Sequence, residues 1–275
     1  MNGPPSWLHV AHNDSPLIVS MPHAGTYIPA DLEARYVSLW LARKDADWWI
    51  ADLYDFAPDF GATMIRTTLS RSVIDANRDP SGCSLYPGQA TTELCPTTTF
   101  DGEALYREGG APDADEIARR RAQFFEPYHA ALKEEIARLK KRHPRIVLFE
   151  AHSIRSRIPR LFDAELPHLN LGTNSGASCA AELTAAIERV CDDRPATFTH
   201  VTNGRFKGGY TTRHYGEPAR GVHAVQLELA MRAYMAEPQS PSPQNWPSPY
   251  DTVRAAPVRV VIERILEACL NFASP

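Results

Sequence analysis

Cysteine is scarce in this chain of 275 residues: Cys83, Cys95, Cys179, Cys191 and Cys269 are odd in number, scattered and without a CxxC pair. That pattern argues against a disulfide framework and a thiolate zinc site, and predicts reduced side chains that mostly pack. Long apolar runs are missing as well. No stretch is long enough to span a bilayer, and the opening MNGPPSWLHVAHNDSP lacks the basic and apolar regions of a secretory leader. The default address is therefore the cytoplasm. Nor is there an excess of positive charge: the formal net charge is -4, and the longest basic cluster, Lys140-Lys141-Arg142-His143, reads as the solvated end of a helix. Neither nucleic acid nor a membrane is expected as a partner. Several catalytic signatures are absent too. Gly172-Thr173-Asn174-Ser175-Gly176 is spaced wrongly for a GxSxG elbow, and no P-loop, HExxH or GxGxxG occurs. A water nucleophile on a metal is the simplest chemistry left.

What is present is enough apolar residue, 43% of the chain, to fill a proper core. Short β-rich runs alternate with longer helical patterns, which predicts an α/β fold with a central mixed, mostly parallel sheet flanked by helices. Residues 1–275 read as a single domain. Strands are expected at Leu17 to Met21, Ala62 to Thr68, Ile146 to Glu150, Thr197 to Val201 and Ala224 to Leu229. Helices are expected at Asp47 to Phe56, Asp115 to Arg142, Ala177 to Val190 and Val258 to Phe272. In the second helix Ile117, Phe124, Tyr128, Leu132 and Leu139 share a face, and Pro127 should kink or split it. Residues 79 to 112 lack periodicity and predict a long ordered loop of the kind that commonly carries function. Residues 236 to 250 hold five prolines and predict an extended surface connection.

Two strands each deliver a histidine to the carboxyl edge, where open α/β sheets bind ligands: His23 in Pro22-His23-Ala24-Gly25, and His152 after Ile146 to Phe149. Each alone could be an inert, hydrogen-bonded strand-end residue; two in the same setting point to a site. Asp47 is a candidate third ligand, although Asp45 or Asp47 could equally be a helix N-cap, and Glu33 is the rival. Two histidines, one carboxylate and an open water position form a common catalytic zinc set. SRSVIDANRDPSG offers Arg71, Asp75, Asn77 and Arg78, either a carboxylate clamp or a surface salt-bridge network. In TNGRFKGGYTTRHYG the glycines suggest close backbone approach or a hairpin, and Arg213-His214 a polar end. In HAVQLELAM, Glu228 and Gln226 alternate with Val225, Leu227 and Leu229, so Glu228 is either a buried carboxylate poised as a general base or part of a polar outer face.

The blocks PHAGTYIP, DADWWIADLYDFAPDFGA, SRSVIDANRDPSGCSLYPGQATTELCPTTTFDG, AHSIRSRIPRLFD, LNLGTNSGASCA, TNGRFKGGYTTRHYG and HAVQLELAMRAYM run in order from about residue 16 to 235. Together they resemble the N-formylglutamate amidohydrolase (deformylase) family, which is related to zinc carboxypeptidases and aspartoacylases. The resemblance implies a zinc-carboxypeptidase-like fold and one catalytic Zn2+, or another divalent metal in its place. The substrate would be a small N-acyl amino acid, N-formyl-L-glutamate, cleaved to formate and L-glutamate in histidine degradation. It makes His23, Asp47 and His152 the metal ligands, with Asp47 chosen over Glu33 because the Asp-Trp block looks like a family signature. The glutamate ligand found three residues after the first histidine in carboxypeptidase-like relatives is Thr26 here. Glu228 resembles the general base and Arg71 the arginine that polarises the scissile carbonyl. Asn77 and Arg78 resemble the clamp on one substrate carboxylate, and Arg213 is assigned to the other. The alternatives are a zinc amidohydrolase or carboxypeptidase for another acylated amino acid or peptide, and a non-catalytic binding protein of the same fold. Oligomeric state is left open.

Overall fold

The seven apolar runs that pair into a sheet are β1 (Leu8–Ala11), β2 (Leu17–Met21), β3 (Thr63–Thr67), β4 (Ile146–Ile154), β5 (Leu169–Gly172), β6 (His200–Thr202) and β7 (Val222–Ala230). They were obtained from a computed structural model, which describes residues 6 to 274 apart from 87, 194 and 196. Residues 1 to 5, part of the segment read above as carrying no leader, lie outside the described residues. The strand order is β1-β3-β2-β4-β7-β5-β6. β3, β2, β4 and β7 run parallel, while β1 and β5 join antiparallel to β3 and β7, so the sheet is mixed with a parallel centre. The α/β expectation holds. No helix among the described residues is long and apolar enough to cross a membrane.

The helices are α1 (Ala30–Glu33), α2 (Ile50–Leu53), α3 (Ala114–Arg120), α4 (Glu126–Lys140), α5 (Ala181–Asp192), α6 (Tyr210–Tyr215) and α7 (Thr252–Ala273). Pro127 has the effect expected of it. A π-helical turn at Arg121–Phe125 joins α3 to α4 immediately before it, where a missing N–H and the pyrrolidine ring disfavour a regular turn. Phe124, Tyr128, Leu132 and Leu139 are buried on the shared face and Ile117 packs beside them.

Strand parity divides the core. Val147, Phe149 and Ala151 of β4 and Val225, Leu227 and Leu229 of β7 face a cluster built with Leu183 and Ile187 of α5 and Val258, Ile262 and Ile265 of α7. Ile146, Leu148, Val222 and Ala224 face the opposite cluster, with α4. Further along the same two strands this second parity turns polar: Glu150 and His152 on β4, Gln226 and Glu228 on β7, all buried. The period of two therefore aims four polar side chains to one side at the carboxyl end of the central strands.

Three expectations need correction. β4 runs to Ile154, so His152 lies within the strand and not after it. The helix expected over Asp47 to Phe56 shrinks to α2, because Trp49 at its start takes a left-handed conformation (φ 61°) that breaks helical continuity. The proline-rich 236 to 250 segment is not simply a surface connection, since Trp246 is buried and its Nε1–H donates to the Lys44 carbonyl at 2.9 Å. A large indole with a satisfied N–H outweighs the local preference of its prolines for solvent.

Candidate metal centre and cleft

The loops that leave the carboxyl ends of β2 and β3 converge beside the carboxyl half of β4. Pro22 ends β2 and hands over to His23, whose carbonyl accepts a hydrogen bond from the Asp47 backbone N–H at 3.0 Å. Gly25 follows because nothing larger fits: a Cβ there would lie 2.0 Å from the Thr68 carbonyl carbon. His23, Asp47 and His152, all buried, each offer a ligand atom, and these atoms lie within 4.8 Å of one another. Asp47 Oδ2 is 3.1 Å from His152 Nδ1 and 3.8 Å from His23 Nδ1. Asp47 caps no helix; its Oδ2 accepts from the Ser153 N–H at 3.2 Å. Asp45 instead accepts from the Phe100 N–H, and Glu33 is exposed on α1.

The donor set suits a divalent cation. His23 Nδ1 and Asp47 Oδ1 are buried without a hydrogen-bond partner, a costly state for polar atoms unless an ion or water engages them. Burial, and then the Arg71 charge, lowers the His23 pKa to about 4, so the neutral form required of a ligand prevails at neutral pH. Burial alone would also lower His152, but hydrogen bonds to Asp47 and Glu150 raise it to about 10. A metal at Nδ1 must therefore displace a proton there.

The far side of each histidine is also held. His23 Nε2 donates to Asp75 Oδ1 at 2.7 Å, and Arg71 Nη2 donates to Asp75 Oδ2 at 2.6 Å. Burial opposes the Asp75 charge, yet His23, Arg71 and Arg78 hold its carboxyl well below the usual range. His152 Nε2 lies 3.2 Å from Glu150 Oε2 and 3.0 Å from Asn77 Nδ2. These two contacts are alternatives: a protonated Nε2 donates to Glu150, and an unprotonated one accepts from Asn77. Carboxylate–histidine pairs of this kind orient metal ligands and raise their basicity. Neither carboxylate is marked for this task in the sequence: Asp75 reads as an ion-pair partner, and the one signal for Glu150 is the strand parity it shares with His152 two residues on.

His23, Arg71, Asn77, Arg78, His152 and Glu228 line one cleft. Glu228 sits beside His152 in the parallel β4–β7 register. Burial raises its carboxyl to about 7, with Asp47 adding to the effect and His152 and Arg71 opposing it. Gln226 fixes its orientation by donating from Nε2 to Glu228 Oε2 at 3.2 Å while accepting from the Gly209 N–H at 2.8 Å. Arg71 lies over the Phe100 ring at 4.7 Å. Asn77 is pinned from two sides: Oδ1 accepts from the Thr211 N–H at 2.9 Å, and Gly209 presses so close that a Cβ would meet Asn77 Nδ2 at 2.3 Å. The glycine reading of close approach is the correct one there, and no hairpin forms.

Arg213 is the exception. It lies on α6 outside the cleft lining, its Nε donating to the Gly208 carbonyl at 2.9 Å and its guanidinium over Tyr86 at 5.0 Å. Helix α6 turns it away because Gly209, about one turn before it, is clamped on Asn77. Arg205 lines the cleft in its place. The 79 to 112 loop contributes Tyr86, Ala90, Thr91, Thr92 and Phe100 to the lining, as a functional loop was expected to.

A sequence model of the N-formylglutamate amidohydrolase family matches residues 15–235. The N-formylglutamate deformylase of Pseudomonas aeruginosa is 48% identical over 257 residues, covering 94% of this chain and 93% of that protein. That of Pseudomonas putida is 46% identical over 259 residues, covering 94% of each. The solved N-formylglutamate amidohydrolase from Ralstonia eutropha JMP134 superposes with a TM-score of 0.73 at 22% identity, covering 97% of this chain and 96% of that one. A gene product of Agrobacterium tumefaciens gives 0.68 at 17%, with the same coverage. At those identities the two structures speak to the fold, whereas the family match and the two close relatives speak to descent: the chain belongs to the N-formylglutamate amidohydrolase family.

Proposed function

We propose that this protein hydrolyses N-formyl-L-glutamate to formate and L-glutamate, with His23, Asp47 and His152 holding one divalent cation, zinc in our reading. The observation that carries the proposal is the buried trio, two of whose members, His23 and His152, line the same cleft as a raised carboxylate, Glu228. The nitrogen and oxygen donors fit zinc. Bound there, the ion would supply Lewis acidity toward the formyl oxygen and make water a nucleophile near neutral pH. The residues of the chain do the rest. Glu228 takes a proton from the attacking water as the C–O bond forms, then returns it to the glutamate nitrogen as the C–N bond breaks. Arg71, held between Asp75 and the Phe100 ring, is placed to share the negative charge that develops on the carbonyl oxygen. Preorganised charge of this kind is worth roughly a hundredfold or more.

Asn77 and Arg78 bind the α-carboxylate. Arg78 is suited to it because its Nε and Nη2 are fixed on Thr92 at 3.1 and 3.2 Å, which limits the freedom lost on binding. With Nδ1 engaged as a ligand atom, His152 would keep its proton at Nε2, donated to Glu150, which leaves the Asn77 amide free to donate to substrate. Family membership supports a place at the end of histidine degradation. The test is formate release from N-formyl-L-glutamate by purified protein, with chelator and with zinc restored. Formate that depends on added metal is the expected result; none from folded, zinc-loaded protein would refute the substrate.

A further inference from the structure

Three arginines, Arg71, Arg78 and Arg205, line the cleft and are paired unequally. Arg71 is paired with Asp75 at 2.6 Å, whereas Arg78 reaches Asp75 only at 3.8 Å. Arg205 also lines the cleft, and among the described residues it forms no ion pair. It is nevertheless held firmly. Its Nε donates to the Leu161 carbonyl at 3.0 Å and its Nη2 to the Ala90 carbonyl at 2.9 Å. Its guanidinium lies over the rings of Tyr86 at 5.4 Å and Phe206 at 5.3 Å. Burial, and to a lesser degree the Arg78 charge, depress its pKa against the opposing effects of Tyr86 and Glu228. A half-buried guanidinium fixed by carbonyls and rings, without a counter-ion, is preorganised for a carboxylate.

We infer that Arg205 determines specificity by receiving the side-chain carboxylate of an acidic N-acyl amino acid, while Asn77 and Arg78 hold its α-carboxylate. The inference rests on the deformylase reading above. The two arginines differ in place. Arg78 sits beside Asp75, which holds His23, and the α-carboxylate is attached next to the scissile nitrogen. Arg205 is instead braced on the carbonyls of Leu161 and Ala90 and, among the described residues, makes no ion pair with Asp75 or Asp47, which leaves it for the second carboxylate, spaced from the first by two methylenes. Ile154, Leu161 and Phe206 supply apolar wall for those methylenes.

The experiment compares N-formyl-L-glutamate with N-formyl-L-glutamine, its uncharged isostere, on the wild type, Arg205→Gln, Arg205→Lys and Arg213→Gln. Arg205→Gln should lower kcat/KM for the acid by roughly 10- to 100-fold, the range of a charge-assisted hydrogen bond, and leave the amide within about twofold. Arg205→Lys should recover part of the preference for the acid, and Arg213→Gln should keep all of it. Equal losses on both substrates would overturn the inference, since Arg205 would then merely brace the loops or hold the α-carboxylate. Calorimetric binding of L-glutamate and L-glutamine to the zinc-loaded proteins gives a readout without turnover. If the wild type cleaves neither substrate the deformylase reading falls, and the binding ratio decides Arg205 alone. A preference for glutamate lost in Arg205→Gln supports the subsite; an unchanged preference, or no binding of either amino acid, overturns it.

Discussion

His152 and Glu228 are paired in register across β4 and β7, which places a candidate ligand imidazole and a buried carboxylate side by side on the same face of a parallel sheet. Loops cannot hold two groups so reproducibly as adjacent strands can. The proposed base is thus located by the same hydrogen bonds that build the sheet.

The pH profile follows from that carboxylate. Glu228 must be ionised to accept a proton, and burial raises it to about 7, so kcat/KM should rise about tenfold per pH unit at lower pH and level off above the inflection. A bound cation can only shift that inflection downward. Glu228→Gln should lower kcat by roughly 10²- to 10⁴-fold and abolish the limb. Initial rates from pH 5 to 9 decide it; an acid limb that persists in the variant would assign it to another group.

The carboxylates behind the histidines should govern metal affinity. Asp75→Asn and Glu150→Gln are each expected to weaken zinc binding by roughly 10- to 100-fold, read by competition with a chromophoric chelator. Wild-type affinity in both variants would contradict the orienting role drawn from the 2.7 Å and 3.2 Å contacts.

Arg78→Ala should raise KM by roughly 10- to 100-fold with little change in kcat, because the α-carboxylate is held alike in ground and transition states. Steady-state kinetics on N-formyl-L-glutamate provide the check. A loss confined to kcat would move Arg78 from binding to the chemical step.

His129 predicts an acid instability separate from the proposed proton transfer. It is buried, its Nε2 donating to the Ala76 carbonyl at 2.8 Å and its Nδ1 facing the Tyr215 hydroxyl at 2.9 Å. Burial lowers its pKa to about 4, against about 6.5 in the unfolded chain. The unfolded state therefore binds the proton first. Stability is unaffected by this group above pH 6.5 and falls by roughly 1.4 kcal/mol per unit between there and pH 4. Denaturant unfolding at pH 7 and pH 5 should show a smaller difference for His129→Gln than for the wild type.

How legible the molecule was depends on whether a signal was local. β2 was readable to the residue because its apolar run ends in Pro22 and Gly25. β1 and β5 were not foreseen: each has four residues, and each pairs antiparallel with a neighbour distant in sequence. The trio His23, Asp47 and His152 was found from strand-end position and family resemblance, and the structure brings all three together. Glu150 escaped notice because a glutamate in an apolar strand has no local mark of burial; Tyr128 and the α4 layer create that environment. Arg213 is read from the sequence as the second carboxylate's partner and Arg205 carries no local mark; the close contact between Gly209 and Asn77 fixes how that segment turns.

Strand parity has a last consequence, for quality control of the fold. A one-residue slip of β4 would carry Glu150 and His152 into the apolar layer under α7 and bring Phe149 and Ala151 to the cleft. Burying an unpartnered carboxylate there costs several kcal/mol, a large part of what keeps any domain folded. Proofreading of register and assembly of the site are one event. Catalytic competence per mole then serves as a census of correctly threaded molecules, since a well-folded but mis-threaded population has no stable place to accumulate.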